Sequence, residues 1–351
     1  MATTGILTDK RFLDHRPGPY HPESHRRLEA LYAMLAERGM ADRFQHVPAQ
    51  PAEREELLLV HAPEYVDLVA STAGQERCSL DPDTSTSPGS YEAALLAAGG
   101  LNQTITKVVS GELQNAFALV RPPGHHAEGH RAMGFCLFNN VAVGARYAQR
   151  FHNLRRILII DWDLHHGNGT QHTFEEDASV LYFSTHQYPY YPGSGALEQV
   201  GRGEGTGFTV NLPLAPGQDD TVYVGIFEKI LRPVALEFDP DLMLVSAGFD
   251  IHTDDPLGGM RITPEGFAAL TRSILDTAEA CCGGKVVLTL EGGYDLEGLT
   301  TSVKAVLNEL SGWTKTDPAN FISPTDQGDL ELMMQKVSRV HGGYWKSLTR
   351  S

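Results

Sequence analysis

Near the middle of the chain, two carboxylates and two imidazoles follow directly after a short apolar run. Residues 157–160 (Ile-Leu-Ile-Ile) are apolar and mostly β-branched, which predicts a strand buried on both faces. Asp163 and His165 are separated by one residue, so in extended chain both point to the same side and can bind one metal ion. Asp161 lies on the same alternation and is expected to support them. Taken alone, the segment is equally typical of a strand that ends in a solvated turn.

Two consecutive histidines, His125 and His126, follow a second predicted strand through the rigid sequence Arg-Pro-Pro-Gly. A single histidine in such a place is more often structural than catalytic. A pair at a strand end, in a chain with candidate metal ligands, favours proton-transfer chemistry. Each imidazole can be oriented through its second ring nitrogen by a carboxylate or an amide, and Asp161 and Asn168 are available for this.

Two further polar groups follow predicted strands. Asp250 ends the segment 246–250 (Ser-Ala-Gly-Phe-Asp), and alone it would be interpreted as a loop or cap aspartate. With Asp163 and His165 it would complete three protein ligands with one open position, the pattern of a catalytic zinc site. Tyr294 follows Glu-Gly-Gly, where glycine lets the backbone approach closely and the phenol can donate to a developing oxyanion.

These groups need a scaffold, and the apolar pattern predicts an α/β fold in which strands alternate with helices. Strands are predicted over 4–8, 57–60, 116–120, 157–160, 180–184, 208–212, 242–246 and 286–290. Helices are predicted after a Ser24 cap and over 64–73, 91–110, 138–151, 220–236, 264–281, 297–310 and 326–347, with a surface loop over 79–90. We therefore expect one domain, residues 1–351, with a mostly parallel sheet of about eight strands covered by helices on both faces.

The polar clusters all fall where predicted strands end. They occupy residues 121–126, 161–168, 184–186, 247–255 and 291–294. Open α/β sheets bind ligands at the carboxyl edge of their strands. Five clusters at one edge therefore predict a single functional site there.

Composition limits the possible partners. The formal net charge of −16 argues against direct nucleic-acid binding, which needs clustered Lys and Arg, and favours cationic substrates. The four cysteines show no Cys-x-x-Cys spacing, which indicates a reduced, cytoplasmic setting. The sequence shows neither a signal-like N-terminus nor about 18 consecutive apolar residues, so secretion and membrane spanning are not expected.

Taken together, the motifs closely resemble those of the zinc-dependent histone deacetylases and acetylpolyamine amidohydrolases. The resemblance rests on RPPGHHA (121–127), GFCLFNN (134–140), DWDLHHGNGTQ (161–171), SAGFD with DDPLGG (246–259) and LEGGYDL (290–296). Asn168 and the Glu-Gly-Gly-Tyr form are similar to the class II branch and its bacterial relatives. The resemblance implies the arginase–deacetylase fold.

The resemblance also implies a role for each matching residue. Asp163, His165 and Asp250 match zinc ligands, although iron(II) would suit the same groups. His126 matches a general base oriented by Asn168, and His125 matches the neighbouring histidine paired with Asp161. Tyr294 matches the tyrosine that supports the substrate carbonyl. On this hypothesis His126 serves as base and then acid, and His125 acts mainly through its charge.

The acyl-lysine tunnel and structural cations are implied by the same resemblance. The expected tunnel residues are Gly134, Phe135, Tyr191 and Leu257. A structural potassium site would use Asp161, Ser184 and the backbone around Asp163, His165 and Thr185. A second such site would use Phe174, Asp177, Val180 and Phe208.

The substrate remains open between acetyl-lysine in peptides and acetylated polyamines or other small amines. Polyamine-selective relatives tend to carry an acidic residue after the Asp-Pro of the fourth motif, whereas Leu257 stands there in this chain and favours acetyl-lysine. The acidic composition and the carboxylates Asp81 and Asp83 favour polyamines. A two-manganese ureohydrolase would need a carboxylate where His252 stands, and a metal-free binding module would not need every catalytic position filled. The oligomeric state is open.

Overall fold

The computed structural model describes residues 3–322 and 328–349, and an eight-stranded parallel sheet runs through the described part. The sheet order is β2-β1-β5-β10-β9-β6-β7-β8, and each of these pairings is parallel. Its strands are β1 (Thr4–Leu7), β2 (Gln45–Val47), β5 (Asn115–Ala118), β6 (Ile157–Asp161), β7 (Val180–Gln187), β8 (Thr209–Leu214), β9 (Leu242–Ala247) and β10 (Val286–Leu290). A separate antiparallel hairpin consists of β3 (Cys78–Asp81) and β4 (Thr84–Thr86).

Helices cover both faces of the sheet. They are α1 (Arg26–Leu35), α2 (Arg54–Leu57), α3 (Pro63–Ala70), α4 (Ser90–Val109), α5 (Asn140–His152), α6 (Asn168–Phe174), α7 (Asp220–Ile226), α8 (Arg232–Phe238), α9 (Pro264–Cys282), α10 (Leu296–Leu310) and α11 (Gly328–His341). Helices α4 and α5 pack together on one side, while α10 packs against α1 and α9 on the other. The predicted α/β fold, with a parallel sheet of about eight strands between two helical layers, is therefore confirmed, although β2 was not among the predicted strands.

The central strands are buried along their whole length. Every residue of β6, β9 and β10 is buried, as expected for strands that have helices on both faces. Asp161 at the end of β6 lies beside Ser184 on β7 and Ser246 on β9. Because β5, β10, β9, β6 and β7 are consecutive neighbours, the five polar clusters that follow them meet along one edge.

Two local predictions were wrong in the first third of the chain. The expected strand Leu57–Val60 is instead the end of α2 and the turn that follows. Its apolar run fits either structure, and the bond from the Glu53 amide to the Glu56 carboxylate (2.8 Å) stabilises the helix start. The predicted cap at Ser24 is also wrong, because His25 is the N-cap of α1 and caps it without a side-chain hydrogen bond.

The remaining differences concern the hairpin and two long helices. The expected surface loop 79–90 contains most of hairpin β3–β4, and residues 84–87 of this segment are buried. The predicted helix 220–236 is divided into α7 and α8 by a π-helical segment, Phe227–Leu231. Residues 326 and 327 of the predicted last helix lie outside the described residues, and α11 begins at Gly328.

Candidate active site

Three side chains from the ends of β6 and β9 converge on one buried point. The possible ligand atoms of Asp163, His165 and Asp250 lie within 4.8 Å of one another. His165 Nδ1 is 3.2 Å from Asp163 Oδ1 and 3.0 Å from Asp250 Oδ2. Ligands of a tetrahedral zinc ion are separated by about 3.4 Å when each bond is about 2.1 Å. The spacing and the donor types therefore fit a divalent metal ion.

Backbone amides hold the two carboxylates in place. Asp163 accepts hydrogen bonds from the amides of His165 (2.8 Å) and Gly292 (2.9 Å). Asp250 accepts one from the amide of Leu164 (2.9 Å). A Cβ atom at Gly292 or Gly248 would collide with the carboxylate of Asp163. The glycines that precede Asp250 and Tyr294 in sequence are therefore needed for this close approach.

The charges of this cluster require a cation. Burial would lower the pKa of His165, but hydrogen bonds to Asp163 and Asp250 raise it to about 10. Burial and the negative charge of Asp163 raise the pKa of Asp250 to about 7. Two buried carboxylates are stabilised only by positive charge nearby, which a protonated imidazole or a bound metal ion provides. The electrostatics therefore agree with the geometry in favouring a metal site.

His125 is paired with a carboxylate. Its Nδ1 lies 3.1 Å from Asp161 Oδ2, and Tyr182 donates to the same oxygen (2.9 Å). Burial would lower the pKa of His125, but the charges of Asp161 and Asp163 raise it to about 10. These carboxylates therefore favour the protonated form of the His125 ring.

His126 is paired with an amide. Its Nδ1 lies 2.8 Å from Asn168 Oδ1, and its ring centroid is 4.0 Å from that of His125. Burial and the positive charges of His125 and His165 hold the pKa of His126 well below its ordinary value. At neutral pH His126 is therefore an uncharged base, with Nδ1 donating to Asn168 and Nε2 free to accept a proton.

Tyr294 is fixed through its backbone. Asp255 accepts hydrogen bonds from the amides of Tyr294 (2.6 Å) and Asp295 (3.2 Å). Arg27 donates to the carbonyl of Gly293 (2.6 Å), and its guanidinium carbon lies 5.2 Å from the Tyr294 ring centre. Burial and the charge of Asp250 raise the pKa of Tyr294 well above its ordinary value. The phenol therefore keeps its proton and can donate it in a hydrogen bond.

A narrow cavity of about 140 Å³ leads to these groups. It is lined by Asp83, Pro123, His125, His126, Gly134, Phe135, His165, Tyr191, Leu257, Gly292 and Tyr294. The structure thus brings the four expected tunnel residues together with the candidate catalytic groups. Asp161, Asn168 and Asp250 lie behind this lining, where they contact the groups that face the cavity.

Hairpin β3–β4 holds one wall of the cavity. The amide of Gly134 donates to Asp83 Oδ1, and the amide of Phe135 donates to Thr84 Oγ1, both at 3.0 Å. Phe135 has a φ of 70°, a left-handed conformation that is unusual for a bulky residue. The two hydrogen bonds therefore fix an aromatic side chain in a strained backbone conformation at the cavity.

Tyr191 lines another part of the cavity, and its neighbour Tyr190 contacts two of the lining residues. The Tyr191 ring meets that of His126 edge-on, with 5.2 Å between their centroids. The Tyr190 ring stacks on His165 at 5.7 Å, and its hydroxyl donates to the carbonyl of Leu257 (2.9 Å). Tyr190 was not among the expected site residues, and only its position beside Tyr191 in sequence could have indicated it.

The expected potassium residues lie below the metal cluster. Asp161 and Ser184 are paired across β6 and β7, and Ser184 Oγ is 2.9 Å from His186 Nδ1. Among the described residues, the buried Thr185 hydroxyl has no hydrogen-bond partner. Two residues of the expected second cation site, Phe174 and Asp177, lie in one turn. The Phe174 carbonyl accepts a hydrogen bond from the Asp177 amide (2.9 Å).

Sequence reasoning missed three carboxylates that hold the site. Glu291 accepts from the amides of Gly124 (2.7 Å) and His125 (3.2 Å). Glu128 accepts from the Asn168 amide (2.5 Å), and Asp255 holds Tyr294 as described. Each lies within or beside a recognised motif, but a carboxylate that binds backbone amides has no spacing signature.

The structure also bears on the membrane expectation. Within residues 3–322 and 328–349, every helix is too short or too polar to cross a bilayer.

Comparisons with known proteins agree with this geometry. A family model of the histone deacetylase domain matches residues 21–310. A probable deacetylase of Archaeoglobus fulgidus is 38% identical, over 98% of this chain and 99% of its own length. The polyamine deacetylase HDAC10 of Homo sapiens is 44% identical, and the histone deacetylase clr3 of Schizosaccharomyces pombe is 40% identical. The matches cover 93% of this chain but only 50% of each of these two relatives. The crystal structure of the HDA15 HD domain superimposes with a TM-score of 0.92 at 38% identity, over 99% of this chain and 96% of that one.

Proposed function

The chain belongs to the histone deacetylase family and is a hydrolase of acetyl amides; from this premise we propose that it removes an acetyl or small acyl group from the ε-amine of lysine in peptides. The observation that carries the substrate class is the cavity. It is narrow and aromatic, and the neutral Leu257 lines it where a charged residue would favour a second ammonium group. An acyl-lysine side chain is a thin apolar chain with one amide, which suits such a cavity.

The bound metal would be held by Asp163, His165 and Asp250, and zinc is the proposed ion. When bound, such an ion polarises the amide carbonyl and lowers the pKa of water. His126 accepts the proton of the attacking water through Nε2, because its Nδ1 is committed to Asn168. The water oxygen then forms a bond to the acyl carbon.

Tyr294 and the two histidines complete the reaction. The Tyr294 phenol donates to the substrate oxygen as negative charge develops on it. His126 then returns its proton to the leaving nitrogen, because an amine leaves poorly as an anion. The C–N bond breaks, giving acetate and the free amine. His125 remains protonated and stabilises the negative charge of its surroundings.

Metal removal tests the first part of the proposal. Purified protein is stripped with a chelator and reloaded separately with Zn²⁺ and Fe²⁺, and hydrolysis of a fluorogenic acetyl-lysine peptide is followed. We expect activity to disappear with the metal and to return on reloading. An Asp250→Asn variant should bind metal weakly in the same assay. Full activity of metal-free protein would contradict the proposal, and absence of activity in every metal form would favour a binding module.

A direct competition tests the substrate. We expect kcat/KM to be higher for an acetyl-lysine peptide than for N-acetylputrescine or N-acetylspermidine. Leu257→Glu should shift the ratio by about tenfold or more towards the polyamines, because a charge lining the cavity attracts a second ammonium group. Leu257→Gln is the matched control, since it changes polarity and shape without charge.

Polyamine deacetylation is the second candidate. Asp83 lines the cavity, and the human relative named HDAC10 is called a polyamine deacetylase. Against this, Asp83 already accepts hydrogen bonds from the Gly134 amide and the Thr84 hydroxyl (2.8 Å). A wild-type preference for acetylated polyamines would make this the correct function. The ureohydrolase alternative is disfavoured because, among the described residues, Asp163, His165 and Asp250 are the one set of acidic and imidazole groups close enough to share an ion.

We also propose that Asp161, Ser184 and Thr185 hold a structural monovalent cation, with potassium as the expected ion. The pairing of Asp161 with Ser184 across β6 and β7 and the buried charge of Asp161 support this. The melting temperature should be higher in potassium chloride than in choline chloride at equal ionic strength. Ser184→Ala should reduce that difference.

A further inference from the structure

Behind His126, on the side away from the cavity, a buried carboxylate contacts the amide that orients this histidine. Glu128 Oε1 accepts a hydrogen bond from Asn168 Nδ2 at 2.5 Å, while Asn168 Oδ1 lies 2.8 Å from His126 Nδ1. His172, whose side chain is 44% exposed, reaches the same carboxylate at 2.9 Å. A continuous chain of polar contacts therefore runs from His126 through Asn168 and Glu128 to His172.

Asn168 can orient His126 only if its own amide has one orientation. An asparagine amide has an oxygen at one end and an NH2 group at the other, and the two ends have nearly the same shape. With the oxygen towards His126, the imidazole carries its proton on Nδ1 and Nε2 is free. With the NH2 towards His126, Nδ1 must be the acceptor, so the neutral ring carries its proton on Nε2 and cannot act as a base there.

Glu128 distinguishes these two orientations. An ionised carboxylate accepts hydrogen bonds and cannot donate them. The reversed amide would place Asn168 Oδ1 against Glu128 Oε1 at hydrogen-bonding distance, with two acceptors facing each other. The Glu128 side chain is only 7% exposed, so water weakens this repulsion less than it would at the surface. Against the effect of burial, the hydrogen bond from His172 holds the pKa of Glu128 below its ordinary value, which keeps the carboxylate ionised.

We propose that Glu128 is a positioning residue for the deacetylation reaction: its carboxylate fixes the amide of Asn168 and thereby the tautomer of His126 in which Nε2 is free. The inference rests on the proposed function only for its kinetic consequence. The tautomer itself is a property of the protein without substrate and can be measured separately.

The first experiment compares Glu128→Ala with a matched control. Glu175→Gln is the control. Glu175 caps the C-terminal end of α6, the helix that begins at Asn168, and it lines the same polar cleft as Glu128 but is paired with Arg202. For Glu128→Ala we expect kcat to fall by about 10- to 100-fold with KM changed less than threefold. Complete loss of the correct tautomer in a Ser-His-Asp triad has an effect of roughly 10⁴. For Glu175→Gln we expect kcat within twofold of wild type.

The second experiment exchanges the acid and the amide. A carboxylate at position 168 would accept from His126 Nδ1 in either orientation, so Asn168→Asp removes the need for discrimination. Alone it places two carboxylates together, and we expect low activity. In the double variant Glu128→Gln with Asn168→Asp, the new glutamine can donate to the new carboxylate. Measured at pH 8.5, its kcat should recover to within about fivefold of wild type, well above Asn168→Asp alone.

The third measurement reads the tautomer without any reaction. Protein labelled with ¹⁵N-histidine is examined by NMR at pH 8, and His126 is assigned by comparison with His126→Ala. Wild type should show the proton of His126 on Nδ1, and Glu128→Ala should show a mixture or the reverse tautomer. Melting temperatures of all variants identify any that fail to fold, and Glu128→Gln, with an intermediate effect expected, is the conservative substitute.

The outcomes separate this inference from the function. A wild-type protein without deacetylase activity would overturn the proposed function, while the NMR result would still decide the role of Glu128. An active wild type whose Glu128→Ala form keeps both kcat and the Nδ1 proton would overturn the inference. The inference would also be overturned if Glu128→Gln changed kcat by the same factor in the Asn168→Asp variant as in the wild type.

Discussion

Two adjacent histidines occupy the same loop with 4.0 Å between their ring centroids, yet their pKa values are shifted in opposite directions. His125 faces the carboxylate of Asp161, and its pKa is raised to about 10. His126 faces the amide of Asn168, and its pKa is held well below the ordinary value. Both are buried, so burial alone cannot explain the difference. The partner of Nδ1 decides it, and the charge on His125 further disfavours a second charge on His126.

The difference divides the work between the two rings. An uncharged imidazole with a free Nε2 can accept a proton, whereas an imidazolium cannot. A fixed positive charge, in turn, stabilises the negative groups around it in a site closed to water. The amide of Asn168 therefore makes His126 a base, and the carboxylate of Asp161 makes His125 an electrostatic group.

The largest expected effect comes from removing each ring in turn. His126→Ala should lower kcat by about 10²- to 10⁴-fold, the usual range for a general acid and base. His125→Ala should lower it less, because this ring transfers no proton. Steady-state kinetics of both variants on one acetyl-lysine peptide make the comparison. A His126→Ala enzyme that retains most of its activity would mean that the roles are reversed.

Removal of the Tyr294 hydroxyl gives a reference for the two histidines. It takes away stabilisation of the oxyanion but leaves the groups that transfer protons. Tyr294→Phe should lower kcat by about 10²- to 10³-fold, as for loss of one oxyanion donor. The acidic limb of its pH profile should not move, since Tyr294 is not the titrating base. A moved limb would indicate that the tyrosine takes part in proton transfer.

A smaller effect is expected when His125 loses its carboxylate. Asp161→Asn removes the largest of the negative charges that raise the pKa of His125, so a larger fraction of this ring is neutral at pH 7. We expect kcat to fall by about tenfold, equivalent to about 1.4 kcal/mol of transition-state stabilisation. Tyr182→Phe is the control, since it removes a hydrogen bond to Asp161 but leaves its charge. Equal losses in the two variants would show that the hydrogen bond, and not the charge, matters.

The smallest effect is a displacement of the pH profile. Because the pKa of His126 is low, wild-type kcat/KM should not fall as the pH is lowered through 6.5. A carboxylate at position 168 favours the protonated ring and raises its pKa, so the acidic limb must move to higher pH. In the Asn168→Asp, Glu128→Gln double variant we expect a displacement of about one unit or more. Profiles between pH 5 and 9 measure it, and a displacement to lower pH would contradict the assignment of His126 as the base.

Much of the site could be predicted from sequence because it is built at strand ends. The strands that precede Asp163 and Asp250 are continuous apolar runs, and parallel strands bring their carboxyl ends to one edge. The number of residues between two strands in the sequence does not matter once the strands are neighbours in the sheet. Spacing also predicted that Asp163 and His165 lie together, and the structure brings them within 3.2 Å, although the chain bends after β6 instead of staying extended as expected.

The rest depends on contacts that leave no periodic pattern. The four apolar residues 57–60 are compatible with strand or helix, and packing rather than local preference decides between them. Hairpin β3–β4 is rich in Asp, Ser and Thr, and these residues are typical of exposed loops unless other groups bind them. Glu128 and Glu291 are ordinary acidic residues in sequence. Their importance arises only because the fold buries them beside Asn168 and the His125 amide.

The attachment of Phe135 has a consequence for engineering. The metal ligands belong to the sheet, but this aromatic wall is tied by two hydrogen bonds to Asp83 and Thr84 of a hairpin outside the sheet. Substitutions at Asp83 or Thr84 should therefore reshape this wall of the cavity while the metal ligands stay in place.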